Sequence, residues 1–316
     1  MRREFPIISN KRNPELLDKI QREVMPEQRE KFEEMFDGEI EKTEEHIRYI
    51  NTALDLIKKK MLNLGLIEDL SVDLPINEKR IHICSEGAYR DLVGVDGDNE
   101  LGEYHGILDQ VFIKNNKNSL RIFLIMLHEI IHYLSRNVDY LKVFDDDSFD
   151  MTVYRSGYRN LNYSENAHEH FRGFNEMVVE RIEVAIIGAN ADAVRNALGM
   201  EFSDDDIIDA FDCWANLHFF SAIVDRISKY YKEEKIDTIK RIERGLFTGE
   251  MMHLRGVEKA YGKKALRILS YYKSKITKEG VDAEKINSMI ERYFMNEDMS
   301  LQERGVLGEE ILSFIE

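Results

Sequence analysis

The stretch of sequence that decides the fold is residues 119–136, SLRIFLIMLHEIIHYLSR. Apolar side chains occur around nearly the whole circumference of a helix drawn through this stretch, so such a helix must be buried on most of its faces. Asn118 and Ser119 stand at its start, and either side chain can accept a hydrogen bond from the first helical turn. We therefore predict a buried helix from about Leu120 to Arg136.

This predicted helix carries three ionisable residues in its apolar part, His128, Glu129 and His132. Buried ionisable groups are unfavourable unless they are paired or bind a metal. The order His-Glu-x-x-His brings both imidazoles to one helical face, where they can bind one tetrahedral zinc ion. Glu129 can then reach a water molecule beside the metal without binding the metal itself. The pattern predicts a zinc site with Glu129 as general base; the alternative is two core histidines and a paired glutamate.

A catalytic zinc site needs a third protein ligand. The metzincin extension requires glycine and histidine where this chain has Ser135 and Val138, so that arrangement is rejected. Cys84 lies upstream at a distance comparable to the cysteine ligand of peptide deformylases, but the Glu-Gly-Cys signature of that family is absent. The segment His168-Glu169-His170 could also supply a ligand. The spacing alone leaves Cys84 and this segment open as alternatives.

Residues 173–180, GFNEMVVE, resemble the second-helix motif of the thermolysin-like zinc peptidases, the gluzincins. In that family an Asn-Glu pair is followed, four residues after the glutamate, by a carboxylate. The resemblance implies that Glu176 is the third zinc ligand and that Asn175 is the family asparagine. It also implies that Glu180, where the family often has aspartate, accepts a hydrogen bond from the free ring nitrogen of His128 and fixes its orientation.

The resemblance is local and covers residues 119–136 and 171–185. The segment between His132 and Glu176 is longer than in thermolysin itself, but it falls in loop-like sequence where extra length is tolerated. The resemblance implies a zincin-like core, in which a small mixed sheet packs on the His-Glu-x-x-His helix and a second helix supplies the glutamate. We expect an α+β fold dominated by helices.

Three regions differ in their sequence pattern. Residues 1–70 have apolar residues at helical spacing and are interpreted as an N-terminal helical region. Residues 71–190 contain the motifs and are interpreted as the catalytic core. Residues 191–316 again have helical spacing and are interpreted as a C-terminal helical subdomain. Its predicted helices cover roughly residues 191–198, 203–232, 235–245, 255–276, 283–295 and 301–315.

Within the core, residues 80–84 and 107–113 have the pattern of strands. The glycine-rich stretch 94–106 is interpreted as loops between them. Residues 140–172 are interpreted as mostly irregular, with a short strand near 151–158. The acidic run at 145–147 is interpreted as a solvated loop, with calcium binding as an alternative.

Charge and cysteine content limit the partners. The chain of 316 residues has 44 basic and 60 acidic side chains, a formal charge of -16, which disfavours nucleic acids and anionic membranes. Two cysteines, Cys84 and Cys213, do not form a disulfide framework, and the N-terminus lacks the apolar segment of a signal peptide. The longest wholly apolar run, Ile122 to Leu127, is too short to cross a bilayer. We expect a cytoplasmic protein without nucleic-acid or membrane partners.

These observations predict a zinc-dependent metallopeptidase that acts on a peptide or protein substrate. The substrate is expected to lie extended beside the strand at about His105 to Ile113. Two alternatives are a zinc hydrolase of a non-peptide amide or ester, and a non-catalytic binding module in which zinc joins two helices. A tyrosine or histidine must stabilise the oxyanion. The candidates are Tyr154, Tyr158, Tyr163, His168, His170 and His218.

Overall fold

The structure is a computed structural model that describes residues 7–9, 14–93, 101–106, 108–143, 149–162, 168–203, 205–207, 214–274 and 282–315. Most of these residues are helical. The α-helices are α1 (Pro14–Lys19), α2 (Met25–Met35), α3 (Glu44–Asn63), α4 (Glu86–Val93), α5 (Ser119–Ser135), α6 (Arg172–Ala189), α7 (Ala191–Leu198), α8 (Trp214–Tyr231), α9 (Lys235–Thr248), α10 (Arg255–Tyr261), α11 (Ala265–Ser270), α12 (Ala283–Met295) and α13 (Leu301–Ile315). A π-helical turn (Ile20–Val24) joins α1 to α2, and 3-10 turns occupy Glu78–Arg80 and Met252–Leu254.

The strands are short. They are β1 (Ile7–Ser9), β2 (Ile81–Cys84), β3 (Gly102–His105), β4 (Gln110–Lys114), β5 (Arg136–Val143), β6 (Phe149–Ser156), β7 (Arg159–Asn162) and β8 (His168–His170). Because the sheets are small and mixed and helices dominate, the predicted α+β class is confirmed.

The chain divides into two compact units. The first comprises Met1–Val153 and Glu183–Phe211, and the second comprises Tyr154–Ile182 and Asp212–Glu316. Helix α6 contributes its first part to the second unit and its last part to the first unit. These boundaries differ from those of the three regions predicted from the sequence, which remain predictions.

In the first unit, β2, β4 and β3 form a three-stranded sheet in that order. Strand β4 is parallel to β2 and antiparallel to β3, with Gly102 opposite Ile113. The prediction of loops throughout residues 94–106 was therefore wrong at β3. Strand β3 consists of Gly-Glu-Tyr-His, which lacks the apolar alternation of a strand, so only its pairing with β4 reveals it.

Helix α5 is confirmed as a buried helix. It begins after Asn118, whose Oδ1 accepts a hydrogen bond from the backbone N–H of Arg121 at 3.1 Å. It packs against β3, β4 and α3. The side chain of Asn118, not that of Ser119, is therefore the cap. Within the described ranges, no helix is both long and apolar enough to span a bilayer.

Helix α3 covers one side of α5. A capping box at Thr43 and His46 begins it, and its buried stripe includes Ile50, Ile57 and Met61. Each such side chain contributes about 1.5–3 kcal/mol when it is fully buried. This packing stabilises α5, which carries the polar residues of the motif.

The prediction that residues 140–172 are mostly irregular was also wrong, but the short strand predicted near 151–158 is confirmed by β6. In the first unit, β5 pairs in parallel with β1, with Ile7 opposite Asp139. In the second unit, β6 and β7 form an antiparallel hairpin, and β8 pairs with β7. These strands are rich in polar residues, so they lack the apolar signal that identifies strands in a sequence. The acidic run at 145–147 lies outside the described residues.

The second unit has a helical core around Phe219 of α8, whose ring contacts those of Tyr272 and Phe294. The predicted helix over residues 255–276 is instead two short helices, α10 and α11. The break falls at Gly262, which has φ of +113°, a backbone conformation that other residues rarely adopt. The predicted helices at 191–198, 283–295 and 301–315 are confirmed.

Candidate metal centre

Helix α5 presents His128 and His132 on one face. Their Nε2 atoms lie 2.9 Å apart and their ring centroids 4.6 Å apart, and both side chains are half-buried. Two nitrogen ligands of a tetrahedral zinc ion are separated by about 3.4 Å, given Zn–N bonds of about 2.0–2.1 Å. The two imidazoles therefore already converge on one point, as the spacing of the motif predicted.

Glu176, on α6, belongs to the same group of side chains. One ligand atom each from His128, His132 and Glu176 can be chosen so that all three lie within 4.8 Å of one another. The third member is the residue that the resemblance to gluzincins implied. The structure thus brings the three predicted ligands together.

The side chains considered as alternative third zinc ligands make contacts elsewhere in the protein. Cys84 is buried in the first unit beside Tyr89 and Phe112, and burial raises the pKa of its thiol to about 12. Among the described residues, the side chains that converge with His128 and His132 do not include Cys84. In the second unit, Glu169 pairs with Arg159 and Arg172. These contacts argue against Cys84 and Glu169 as ligands.

His170 and His168 also belonged to the alternative segment. The Nδ1 atom of His170 lies 3.4 Å from Ser270 Oγ, and its ring contacts Tyr271 edge to face. The side chain of His168 lies outside the described part of the chain.

Asn175 fixes the start of α6. Its side chain is fully buried, and Oδ1 accepts hydrogen bonds from the backbone N–H groups of Tyr158 at 2.9 Å and Arg159 at 3.4 Å. These N–H groups belong to the turn between β6 and β7. A Cβ atom on Gly157, which has φ of +57°, would come within 2.5 Å of this oxygen. Asn175 therefore ties the helix to a turn that requires glycine, directly before Glu176.

The resemblance assigned the orientation of His128 to Glu180, and this assignment remains a prediction. Glu180 Oε1 accepts a hydrogen bond from Asn216 Nδ2 at 2.8 Å, and Asn216 Oδ1 accepts one from Lys273 Nζ at 2.7 Å. Within the first unit, the carboxylate of Glu183 also lies beside His128, with its Oε1 3.3 Å from His128 Nδ1. Residues four and seven positions after Glu176 both share its helical face, so the motif spacing could not distinguish them.

Glu183 is an acidic residue at a buried position of α6, where acidic residues are rare. Its side chain is fully buried, and neither carboxylate oxygen makes a regular hydrogen bond. Burial raises the pKa of this carboxyl, while nearby His128 opposes that effect. The sequence does contain a signal, because Glu183 interrupts a helix whose other buried residues are mostly apolar, including Val179, Ile182 and Ile186.

These residues fit a divalent metal of the zinc type. Two imidazole nitrogens and a carboxylate oxygen are a donor set that zinc prefers. If His128 held a metal through Nε2, its Nδ1–H would be a donor facing the carboxylate of Glu183, whose oxygens make no regular hydrogen bond. The buried charge of Glu183 thus has a physical explanation if His128 binds a metal.

Glu129, the predicted general base, is buried and lies against β3. A Cβ atom built on Gly102 would come within 2.9 Å of Glu129 Cγ, 3.2 Å of Glu129 Oε1 and 2.4 Å of Ile125 Cγ2. A strand residue without a side chain is therefore required for the carboxylate of Glu129 to lie where it does. The sequence analysis did not identify Gly102, because its stretch contains several glycines.

Arg136 connects the end of α5 to the same strand. Its guanidinium donates to both carboxylate oxygens of Asp139, at 2.8 and 2.6 Å, and to Tyr104 Oη at 2.9 Å. It also donates to the carbonyl oxygen of Gly106. Arg136 and Asp139 are each only 1% exposed, so the ion pair is shielded from water. These contacts fix the position of β3 relative to the helix that carries the motif.

The residues proposed for oxyanion stabilisation differ in their surroundings. The Oη atom of Tyr158 is buried and is shared between the carbonyl oxygen of Ile242 at 2.7 Å and Nε2 of His253 at 2.5 Å, so its hydroxyl is used within the second unit. His218 is exposed on α8. Tyr163 and the side chain of Tyr154 lie outside the described residues.

The comparisons with known proteins add nothing to the short motifs noted in the sequence. The resemblance to gluzincins covers α5 and the beginning of α6. Over the whole chain, comparisons with protein families, curated proteins and solved structures give no match.

Proposed function

We propose that this chain is a zinc-dependent metallopeptidase in which His128, His132 and Glu176 hold the metal and Glu129 is the general base. The observation that carries the proposal is the convergence of the three ligand atoms within 4.8 Å, two of them imidazole nitrogens 2.9 Å apart. Glu183 supports it, because its buried carboxylate has His128 as its partner. The zincin-like arrangement of sheet and helices is part of this proposal.

A zinc ion in this group would supply a Lewis acid that lowers the pKa of a water molecule and polarises a carbonyl. Glu129 follows His128 directly and does not belong to the ligand group. In the proposed reaction its carboxylate would take the proton of the attacking water and pass it to the leaving nitrogen. Because Glu129 is only 8% exposed, its proton transfer is partly shielded from bulk water.

The structure changes the expected location of the substrate. Among the described strands, β4 lies in the middle of its sheet, so a peptide cannot add beside residues 105–113 as a whole, whereas β3 lies at the edge. The carbonyl of Leu101 accepts a hydrogen bond from Lys114 N, so the backbone of every second residue from Leu101 faces β4. The backbone groups of Gly102 and Tyr104 then face away from β4. We place an extended peptide along this edge, next to Glu129.

The proposed setting is the cytoplasm. Cys84 is a free cysteine in the described residues, as a reducing compartment allows. A free cysteine is also compatible with the proposed metal site, because histidines and a carboxylate alone hold the metal there.

The test of the metal site is zinc content, measured by plasma mass spectrometry on purified wild-type protein and Glu176→Ala. The matched control is Glu310→Ala, which removes an exposed carboxylate from α13. We expect one zinc per chain in the wild type and the control, and a marked loss in Glu176→Ala. Full zinc retention in Glu176→Ala would overturn this residue as a ligand, and absence of zinc from reconstituted wild type would overturn the site.

The test of activity uses quenched fluorescent peptides and small chromogenic esters. We expect cleavage of peptides by the wild type and a loss of about 10²- to 10⁴-fold in Glu129→Gln, which should retain zinc. Cleavage of esters alone would favour the non-peptide hydrolase. Stoichiometric zinc without any hydrolysis would favour the non-catalytic module, in which a general base has no role.

A further inference from the structure

The first unit contains a pocket of about 380 Å³ that shares no residue with the proposed metal site. Pockets that bind small molecules have volumes of roughly 300–1,000 Å³. This pocket lies beside β2 and the 3-10 turn Glu78–Arg80. Its lining residues are Phe36, Glu39, Asn77, Lys79, Arg80 and His82.

One wall of the pocket is fixed by the ring of His82. This ring stacks on Phe112, with centroids 5.1 Å apart and planes inclined by 18°. Its Nδ1 atom lies 2.8 Å from Glu39 Oε2, and its Nε2 atom lies 3.2 Å from Gln110 Oε1. Glu39 also forms an ion pair with Lys42. The carboxylate that lines the pocket is therefore already bound by two partners within the protein.

The remaining polar groups of the lining are hydrogen-bond donors. Lys79 makes no ion pair with the described residues, and its side chain is exposed. Arg80 uses Nη1 to bind Asp109, which leaves Nε and Nη2 without a protein acceptor among the described residues. Asn77 accepts a hydrogen bond from the backbone N–H of Lys79 through Oδ1 at 3.0 Å, which leaves its NH₂ group as a donor. A ligand must therefore supply acceptors.

Phe36 gives the pocket an apolar surface. Its ring stacks on Phe32 at a centroid distance of 5.0 Å and contacts His82 edge to face at 5.6 Å. Its inner side is thus supported by aromatic packing, while the side chain as a whole remains partly exposed. A planar or apolar group can cover this surface while an attached polar group meets the donors.

We propose that this pocket binds a small organic anion. Its carboxylate or phosphate group meets Lys79, Arg80 and Asn77, and its apolar or planar body lies on Phe36. Arginine and lysine together are well suited to an oxyanion, since the guanidinium offers parallel N–H donors and the ammonium adds charge. The chain carries a formal charge of -16, so its net field repels anions and binding must come from these local groups. The proposal does not depend on the metal site.

The test compares benzoate, its neutral isostere benzamide, and inorganic phosphate, titrated into the full-length protein at low ionic strength by calorimetry. We expect benzoate to bind with a dissociation constant of roughly 1 mM or tighter, at least about ten-fold more tightly than benzamide. Lys79→Gln should weaken benzoate and phosphate about ten-fold. Lys79 is exposed, so this substitution does not endanger the fold. The matched control is Lys117→Gln, which removes an equally exposed charge outside the pocket.

Phe36→Leu tests the apolar surface of the pocket separately from the groups that bind the anion. It should weaken benzoate and leave phosphate unchanged, with thermal unfolding measured to verify the fold. Equal binding of benzoate and benzamide, or equal weakening by Lys79→Gln and Lys117→Gln, would overturn the anion site. No binding of either anion up to about 10 mM would also overturn it. Binding of phosphate without benzoate would overturn the role of Phe36.

Discussion

The Oε1 atom of Glu183 lies 3.3 Å from the Nδ1 atom of His128, on the opposite side of the imidazole from the nitrogen that meets His132. A carboxylate in this position fixes the tautomer and orientation of a metal-binding histidine. We predict that Glu183→Gln lowers the affinity for zinc about 10- to 100-fold, as measured by competition with a chelator.

The matched control for this prediction is Glu180→Gln. Glu180 lies on the same helix, is also a glutamate, and is the residue to which the gluzincin motif assigns this role. Because its Oε1 accepts a hydrogen bond from Asn216, we expect its substitution to change zinc affinity less than three-fold, a small effect for a group outside the ligand shell. The reverse order of the two effects would show that the motif spacing, and not the observed contact, identifies the partner of His128.

The close approach of Gly102 to Glu129 gives a second prediction. In Gly102→Ala the new Cβ would stand 2.4 Å from Ile125 Cγ2 and 2.9 Å from Glu129 Cγ, so one of these groups must move. Displacement of a general base by about 1 Å lowers a rate by up to about 10²-fold. We predict that peptide hydrolysis falls roughly 10- to 100-fold while the zinc content stays at the wild-type level.

The control for Gly102 is Gly87→Ala in α4, where a Cβ atom meets nothing within 4 Å. This substitution should leave hydrolysis unchanged and leave the protein as stable or slightly more stable, since alanine favours a helix over glycine by about 0.5–1 kcal/mol. Wild-type activity in Gly102→Ala would contradict the inferred packing of Glu129 on β3.

Cys84 gives a third prediction. Burial raises the pKa of its thiol to about 12, so at pH 8 almost none of it is thiolate. We expect iodoacetamide to leave Cys84 unmodified in the folded protein and to modify it after denaturation, as followed by peptide mass spectrometry. Cys84→Ala should retain one zinc per chain and lose on the order of 1 kcal/mol of stability. Loss of zinc in this variant would instead favour the cysteine ligand.

The strongly patterned parts of the fold could be predicted from the sequence. Helix α5 is apolar almost all round, and α3 has one apolar stripe, so burial alone determines both. Strands β3, β5, β7 and β8 could not be predicted in this way. Glycine and polar residues dominate them, and their backbone hydrogen bonds depend on partners that are distant in the sequence.

The residues of the candidate site also differ in whether the sequence alone could predict them. His128 and His132 are fixed by helical periodicity, because a spacing of four residues on a helix leaves little freedom. The identity of the carboxylate beside His128 depends instead on how α5 and the end of α6 pack, and Glu180 and Glu183 are equivalent in periodicity. The role of Arg136 likewise depends on the location of β3, which the sequence did not reveal.

His253 provides a prediction about pH and stability in the second unit. Burial lowers the pKa of His253 from 6.5 to about 4, and its Nε2 atom lies 2.5 Å from Tyr158 Oη. In the unfolded chain this histidine binds a proton below about pH 6.5, whereas in the folded protein it remains neutral down to about pH 4. Its contribution to the free energy of unfolding is therefore complete above pH 6.5 and decreases as the pH falls.

We predict that the titration of His253 lowers the free energy of unfolding, measured by urea titration, by about 1 kcal/mol between pH 6.5 and pH 5.5. At pH 4 the total decrease due to His253 should be at most about 3 kcal/mol. His253→Gln removes the titration while it keeps a polar group beside Tyr158, so its curve should be flatter by that amount. His218→Gln, on the exposed surface of α8, is the control and should follow the wild-type curve. Parallel curves for the wild type and His253→Gln would mean that His253 is as accessible to protons in the folded protein as in the unfolded chain.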